Sequence, residues 1–225
     1  MMHASRGQAE AVEPPRGADL MVDHAGDDAS LIAGLKAGSE EAYEGFVRRY
    51  ADRIYNIARG MTQNSHDAEE VVQDTFLSVF KGIRSFKGDA ALSTWTYRIA
   101  VNAALMRIRR QKSQAPTICI DDCMPTFDET GHRVASLPDW HPRADEILLN
   151  SEMGSLLWKA IGALPTEYRT VLVLRDQEGL TNEDVAAVMR LSVAAVKSRL
   201  HRARIAVREQ VKGYVLAGAG DAVEA

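Results

Sequence analysis

Between residues 40 and 60 the apolar side chains return every three or four positions, at Tyr43, Phe46, Val47, Tyr50, Ile54 and Ile57. That spacing fits a helix with one buried face and does not fit a strand, whose side chains alternate with period two. Helical spacing recurs at Ile147, Leu148, Leu156, Leu157 and Ile161, and few segments alternate polar and apolar. Both features, with only 6% aromatics, argue against an all-β sandwich. At 46% hydrophobic and 26% charged, the 225 residues suit one large or two small helical domains. No apolar run approaches the roughly 20 residues of a membrane span. The first thirty residues carry Glu10, Glu13, Asp19, Asp23, Asp27 and Asp28 but no apolar signal segment. Two cysteines do not make a disulfide scaffold. The expectation is a soluble, cytoplasmic, all-α protein without membrane insertion.

Prolines and charge divide the chain. Residues 1–28 are acidic, rich in Gly and Pro and without hydrophobic period, and read as a disordered leader. Residues 29–112 form a first helical unit, with Asp28 and Ser39 as N-caps. In that unit a helix opens at Asn64 or Ser65 and runs to about Ile83. A loop over Phe86–Ala91 follows. Ser93 or Thr94 then caps a fourth helix that ends in Arg107, Arg109, Arg110 and Lys112. Residues 113–142, with Pro116, Pro125, Pro138 and Pro142, read as an acidic flexible linker. Residues 143–212 form a second helical unit, and 213–225 a flexible, Gly/Ala-rich tail.

Net charge is −4, which by itself argues against nucleic-acid binding, but the charge is segregated. In TNEDVAAVMRLSVAAVKSRLHRAR, residues 181–204, Thr181 caps a short helix through Arg190 and Ser192 caps a longer one. Val185 and Met189 face inward on the first. Val196, Leu200, Ala203 and Val207 form an inward stripe on the second, opposite Lys197, His201, Arg204 and Arg208. From Val185 to Arg208 no residue is acidic. Short helix, turn and basic outer face together predict a DNA-binding helix-turn-helix. Ala194 and Ala195 are small enough to let the helix N-terminus enter a major groove.

Two further helices carry surface chemistry. In DAEEVVQDTFLSVF, residues 67–80, Asp67, Glu70 and Asp74 share one exposed acidic face, with Ala68, Val72, Thr75 and Val79 inward. Such a face repels DNA and suits either a basic protein surface or plain solvent. In STWTYRIAVNAALMRIRR, residues 93–110, Trp95 and Tyr97 precede a basic helix end. Aromatics beside arginines suit stacking on unpaired bases, and Trp95 fits core packing equally well. The loop Phe86–Ala91 reads either as a holder for an extruded base or as a simple connection.

These segments, in this order and with LPTEYRTVLVLRDQEGL before the helix-turn-helix, resemble the bacterial sigma-70 family. The match is to the extracytoplasmic-function branch, which keeps regions 2 and 4 alone; it covers about residues 29–112 and 143–212. The resemblance implies a four-helix region 2 and a helix-turn-helix region 4. Region 2 would dock on the β′ clamp helices of core RNA polymerase through Asp67, Glu70, Gln73, Asp74 and Phe76. It would take the melted minus-10 strand with Phe86, Lys87, Gly88, Asp89, Ala90, Trp95, Arg98, Asn102, Arg107, Arg109 and Arg110. Region 4 would read the minus-35 duplex through Ser192, Lys197, Ser198, Arg199, His201, Arg202 and Arg204, and contact the β flap. The linker would thread the polymerase near the RNA exit path, and an anti-sigma protein would sequester the factor.

The leader and the linker are longer than the family's minimal pattern, and two further features depart from it. Ala194-Ala195 stands where many members have Gly-Thr, so no promoter sequence transfers. The linker holds Cys119 and Cys123, with His132 and His141 downstream. Cysteines at i and i+4 could share a helical face and bind zinc or respond to oxidation, but the spacing matches no common finger, and reduced thiols are the simpler reading. No phosphate loop, nucleophile constellation or cofactor site is visible, which points away from an enzyme. A rival reading is a conventional helix-turn-helix regulator whose residues 29–112 sense or dimerise; another is an adaptor that binds polymerase without reading DNA.

Overall fold

The computed structural model describes residues 25–110, 117–123 and 151–221, and among these every regular element is a helix. In chain order they are α1 (Ala25–Ala37), α2 (Glu40–Thr62), α3 (Ser65–Gly82), a 3-10 turn (Ile83–Ser85) and α4 (Leu92–Arg110). A second 3-10 turn (Asp121–Cys123) precedes α5 (Ser151–Ala163), α6 (Thr166–Leu172), a π-helical turn (Val173–Gln177), α7 (Asn182–Met189) and α8 (Val193–Asp221). Helices α1–α4 pack as one bundle, and α5–α8 as a second.

The periodicity of α2 sets the first bundle. Phe46, Tyr50, Ile54 and Ile57 are buried between α3 and α4, while Val47 sits at the edge of the stripe. Phe46 is the hub of a ring cluster, with centroids 5.9 Å from Phe76 and 6.1 Å from Phe80. Ser39 caps α2, its Oγ accepting from the Ala42 amide. Asn64 caps α3, its Oδ1 accepting from the Asp67 amide at 3.1 Å. Each cap satisfies an amide that the helix leaves without a partner.

In the second bundle, Val196, Leu200, Ala203 and Val207 of α8 are all buried, as the spacing predicts. Arg190 makes the turn between α7 and α8 in the left-handed region, at φ 55°, where glycine is the usual choice. Thr181 and Asp184 form a reciprocal capping box at the start of α7. The π turn follows α6 directly, and its extra residue swings Asp176 toward α8 and Gln177 toward α2.

Several boundaries differ from the sequence expectation. Helix α1 begins at Ala25, so Asp28 lies within it and pairs with Arg49 at 2.8 Å instead of capping. Helix α4 begins at Leu92, with the Trp95 amide donating to the Ala91 carbonyl, one turn-position ahead of Ser93 and Thr94. Helix α8 continues through Asp221, beyond the expected limit at 212. Part of the expected linker is docked: the Ile118 amide donates to the Ala163 carbonyl at 3.1 Å and Ile120 is buried. Residues 1–24, 111–116, 124–150 and 222–225 lie outside the described set, as do the expectations placed on them. None of the described helices is long and apolar enough to cross a membrane.

The capping box gives a direct check. Thr181→Ala removes the oxygen that accepts from the Asp184 amide at 3.1 Å. It should lower stability by about 1 kcal/mol in urea unfolding.

Candidate functional site

Three surfaces carry the charged residues singled out above. The first is α3. Asp67 is not on an exposed face: only 2% of it is accessible. Its Oδ1 accepts from Arg107 Nε of α4 at 2.8 Å, and the same guanidinium also pairs with Glu70. One position in the first turn of α3 faces the neighbouring helix, and an arginine forty residues away turns it inward. This corrects two assignments at once, since Asp67 leaves the exposed acidic set and Arg107 is held by carboxylates. Gln73 and Asp74 are exposed, and Glu70 is half-buried. Phe76 is half-buried too, its ring stacked with Phe80 and edge-on to Phe46, so it walls the face from below. Leu77, 54% exposed, stands among these polar residues. Sequence reasoning passed over it, although it falls outside the inward stripe and three positions after Asp74.

The second surface runs from the loop before α4 along that helix. Phe86 is a further correction, being only 7% exposed. Its ring packs 5.0 Å from Trp95 and its carbonyl accepts from Lys36 Nζ at 2.8 Å. The loop's only aromatic side chain thus joins the core. Lys87, Gly88 and Asp89 are exposed and Ala90 half-buried, with Gly88 at φ 83°, a conformation that favours glycine. Trp95 is half-buried over Gly82, so its ring serves the core on one side and faces outward on the other. Asn102, Arg109 and Arg110 are exposed. Arg98 is half-buried and donates to the Ala187 carbonyl of α7 at 2.7 Å.

The third surface is the start of α8. Ser192 caps it, its Oγ accepting from the Ala195 amide at 3.1 Å. Lys197, Ser198, His201 and Arg202 are exposed along one side. Arg199 lies 3.4 Å from Glu167, and Arg202 lies 4.0 Å from Asp121 of the docked segment. Arg204 grips Asp176 with both edges of its fork, at 2.8 and 2.6 Å. The π turn supplies the carboxylate that holds it, and Arg204 itself stays exposed.

Cys119 is exposed and Cys123 half-buried, both as free thiols. Burial pushes the Cys123 thiol up, which lowers its thiolate fraction and its reactivity. Among the described residues no group of three or more His, Cys, Asp or Glu could hold a metal ion. His132 and His141 lie outside those residues.

Glu178, which follows the π turn, carries a feature with no sequence signal. It is 8% exposed, and burial raises its carboxyl from the ordinary 4.5 to about 7, against the opposing charge of Arg53 on α2. The folded chain therefore holds this proton more tightly than the unfolded chain does. The stability it contributes is complete below about pH 4.5 and is lost as pH rises through about 7. Thermal melts should show stability falling across that window by up to roughly 3 kcal/mol, and Glu178→Gln should flatten the slope. A second check concerns α3. Asp67→Ala should lower the urea midpoint of the wild-type chain, and lower it less in an Arg107→Ala background, because the two groups act as a pair.

Family comparisons agree with this geometry. The Sigma-70 region 2 profile matches residues 46–114, and the Sigma-70 region 4 profile matches residues 155–207. The "ECF RNA polymerase sigma-E factor" of Salmonella typhimurium is 30% identical over 188 residues, covering 84% of this chain and 96% of the relative. The "ECF RNA polymerase sigma factor SigM" of Mycobacterium tuberculosis is 33% identical over 195 residues, covering 87% and 89%. Among solved structures, CnrH in complex with the cytosolic domain of CnrY superposes with a TM-score of 0.58 at 26% identity, covering 83% of this chain and 97% of that one. With regions 2 and 4 in order and relatives matched over nearly their full length, the chain belongs to the extracytoplasmic-function branch of the sigma-70 family and is an alternative sigma factor that directs RNA polymerase.

Proposed function

We propose that the three surfaces divide the work of promoter recognition. The exposed part of α3, with Glu70, Gln73, Asp74 and Leu77, holds the β′ clamp helices of core polymerase, and Phe76 stiffens it from beneath. The loop Lys87–Ala90 and the α4 residues Trp95, Arg98, Asn102, Arg109 and Arg110 take the melted minus-10 strand. Ser192, Lys197, Ser198, Arg199, His201 and Arg202 at the start of α8 read the minus-35 duplex, and the second bundle touches the β flap. The functional units are the described helices of 25–110 and of 151–221. The protein works in the cytoplasm by recognition and holds no chemistry of its own. An anti-sigma protein is the natural regulator, by analogy with the CnrY domain bound to CnrH.

The separation of exposed charge carries this reading. Gln73, Asp74 and Leu77 form a face with a carboxylate and an apolar centre, suited to a basic protein surface. Lys197, His201, Arg202 and Arg208 form an exposed face on a stretch without an acid, suited to phosphate. A conventional regulator needs only the second of these.

Run-off transcription with purified core polymerase on a promoter library tests the reading, and should yield starts at defined sites. Asp74→Lys combined with Leu77→Ser should cut capture of core polymerase at least about tenfold without moving the melting temperature. Undiminished capture would take polymerase docking away from α3.

A further inference from the structure

Among the described residues, Lys87–Ala90 make no hydrogen bond to the rest of the chain, so the shape of this loop is set at its two ends. At the far end the Ala91 carbonyl accepts from the Trp95 amide of α4 at 3.0 Å. At the near end Phe86 is held in three ways. Its ring packs 5.0 Å from that of Trp95, its amide donates to the Ile83 carbonyl at 3.1 Å, and its carbonyl accepts from Lys36 Nζ of α1 at 2.8 Å. The first two hold the ring and the incoming backbone. Only the third fixes the peptide plane that leaves toward the loop. We propose that Lys36 is a positioning residue for strand capture: its ammonium locks the Phe86–Lys87 peptide and so presets the loop that takes the melted minus-10 strand. This rests on the assignment of Lys87–Ala90 to that strand.

The peptide unit is planar and trans, so the Lys87 N–H points opposite to the Phe86 carbonyl. Drawing that carbonyl toward α1 turns the Lys87 amide away from it. Gly88, the next residue, sits at φ 83° and lets the chain turn there. Without the ammonium, the carbonyl of a residue only 7% exposed loses its partner. The peptide is then free to rotate, because nothing in Lys87–Ala90 opposes it. A loop that must be ordered during binding holds its ligand less tightly than one already in place.

Lys36 stands on firm ground. Its neighbour Leu35 is 1% exposed, and the end of α1 is closed by the Ser39 amide on the Gly34 carbonyl at 3.0 Å and the Gly38 amide on the Leu35 carbonyl at 3.2 Å. At Gly34 an added Cβ would come within 2.7 Å of the Ala42 Cβ, so α1 and α2 are in close contact there. The ordinary use of a lysine in the last turn of a helix is to offset the negative end of its dipole. Here the ammonium also reaches a carbonyl fifty residues farther along the chain. Charge for phosphate is supplied nearby without it: Lys81, Arg84 and Lys87 are exposed, and no acid lies between Asp74 and Asp89. A prop and a phosphate contact therefore predict different behaviour toward salt.

The experiment uses the full chain, assembled with core polymerase on a promoter recovered by run-off transcription, and free with the labelled minus-10 single strand of that promoter. Lys36→Met keeps the stem and a good helix former but removes the donor, whereas Lys36→Arg keeps a donor and the charge. Lys36→Met should bind the strand about tenfold more weakly with an unchanged salt slope, and should open the promoter about tenfold less by permanganate reactivity of unpaired thymines. Polymerase capture and duplex binding should move less than about twofold, and the melting temperature should not move. Lys36→Arg should restore strand binding and opening to within about twofold of wild type. Wild-type strand affinity in Lys36→Met overturns the proposal. A salt slope shallower by about 0.7 marks a direct phosphate contact and overturns it too. So does a fall in melting temperature with a parallel loss of polymerase capture, which marks a role in the fold alone. Defined starts from wild type with unmoved strand affinity in Lys36→Met sink the positioning role and leave the sigma assignment standing. No defined starts from wild type sinks that assignment, and this inference with it.

Discussion

Everything in the molecule leans on α2. One side of it, Phe46, Tyr50, Ile54 and Ile57, is buried by α3 and α4, and its N-terminal half supports α1. Its last turns, through Asn56, Arg59, Gly60 and Met61, receive the second bundle. A single helix of 23 residues therefore fixes both the core of region 2 and the docking of region 4. Side chains large enough to fill the first core would keep the second bundle away, and glycine at position 60 resolves that conflict. The cost is a glycine in a helix interior, about 1 kcal/mol against alanine.

A second pattern runs through the charges. A promoter-reading chain with net charge −4 keeps its basic groups from repelling one another by pairing several with its own acids. Arg199 has Glu167, Arg202 has Asp121 and Arg204 has Asp176. Pairs at the surface contribute roughly 0.2–1 kcal/mol each, so exchanging such a carboxylate for a phosphate costs little. The pair of Arg107 with Asp67 is of another kind, because one partner is buried and cannot be solvated if the other leaves. Exposure of the acid separates arginines that can change partner from those that brace the fold.

The same distinction explains how much was legible in the sequence. Local rules carried the caps Ser39, Asn64, Thr181 and Ser192 and the inward stripe of α8, since each depends on neighbours within about one turn. Charge and period located the acidic helix and the basic helix faces along the chain, while the roles proposed for them came from the family resemblance. What escaped was set by partners distant in sequence. Asp67 reads as surface until Arg107 is seen beside it. Phe86 reads as loop until Trp95 and Lys36 close around it. Asp28 reads as a cap until α1 is found to start three residues earlier. No period announces a π turn, and none announces that Glu178 is buried against Arg53. Periodicity reports which side of a helix is wet, but not what another helix lays upon it.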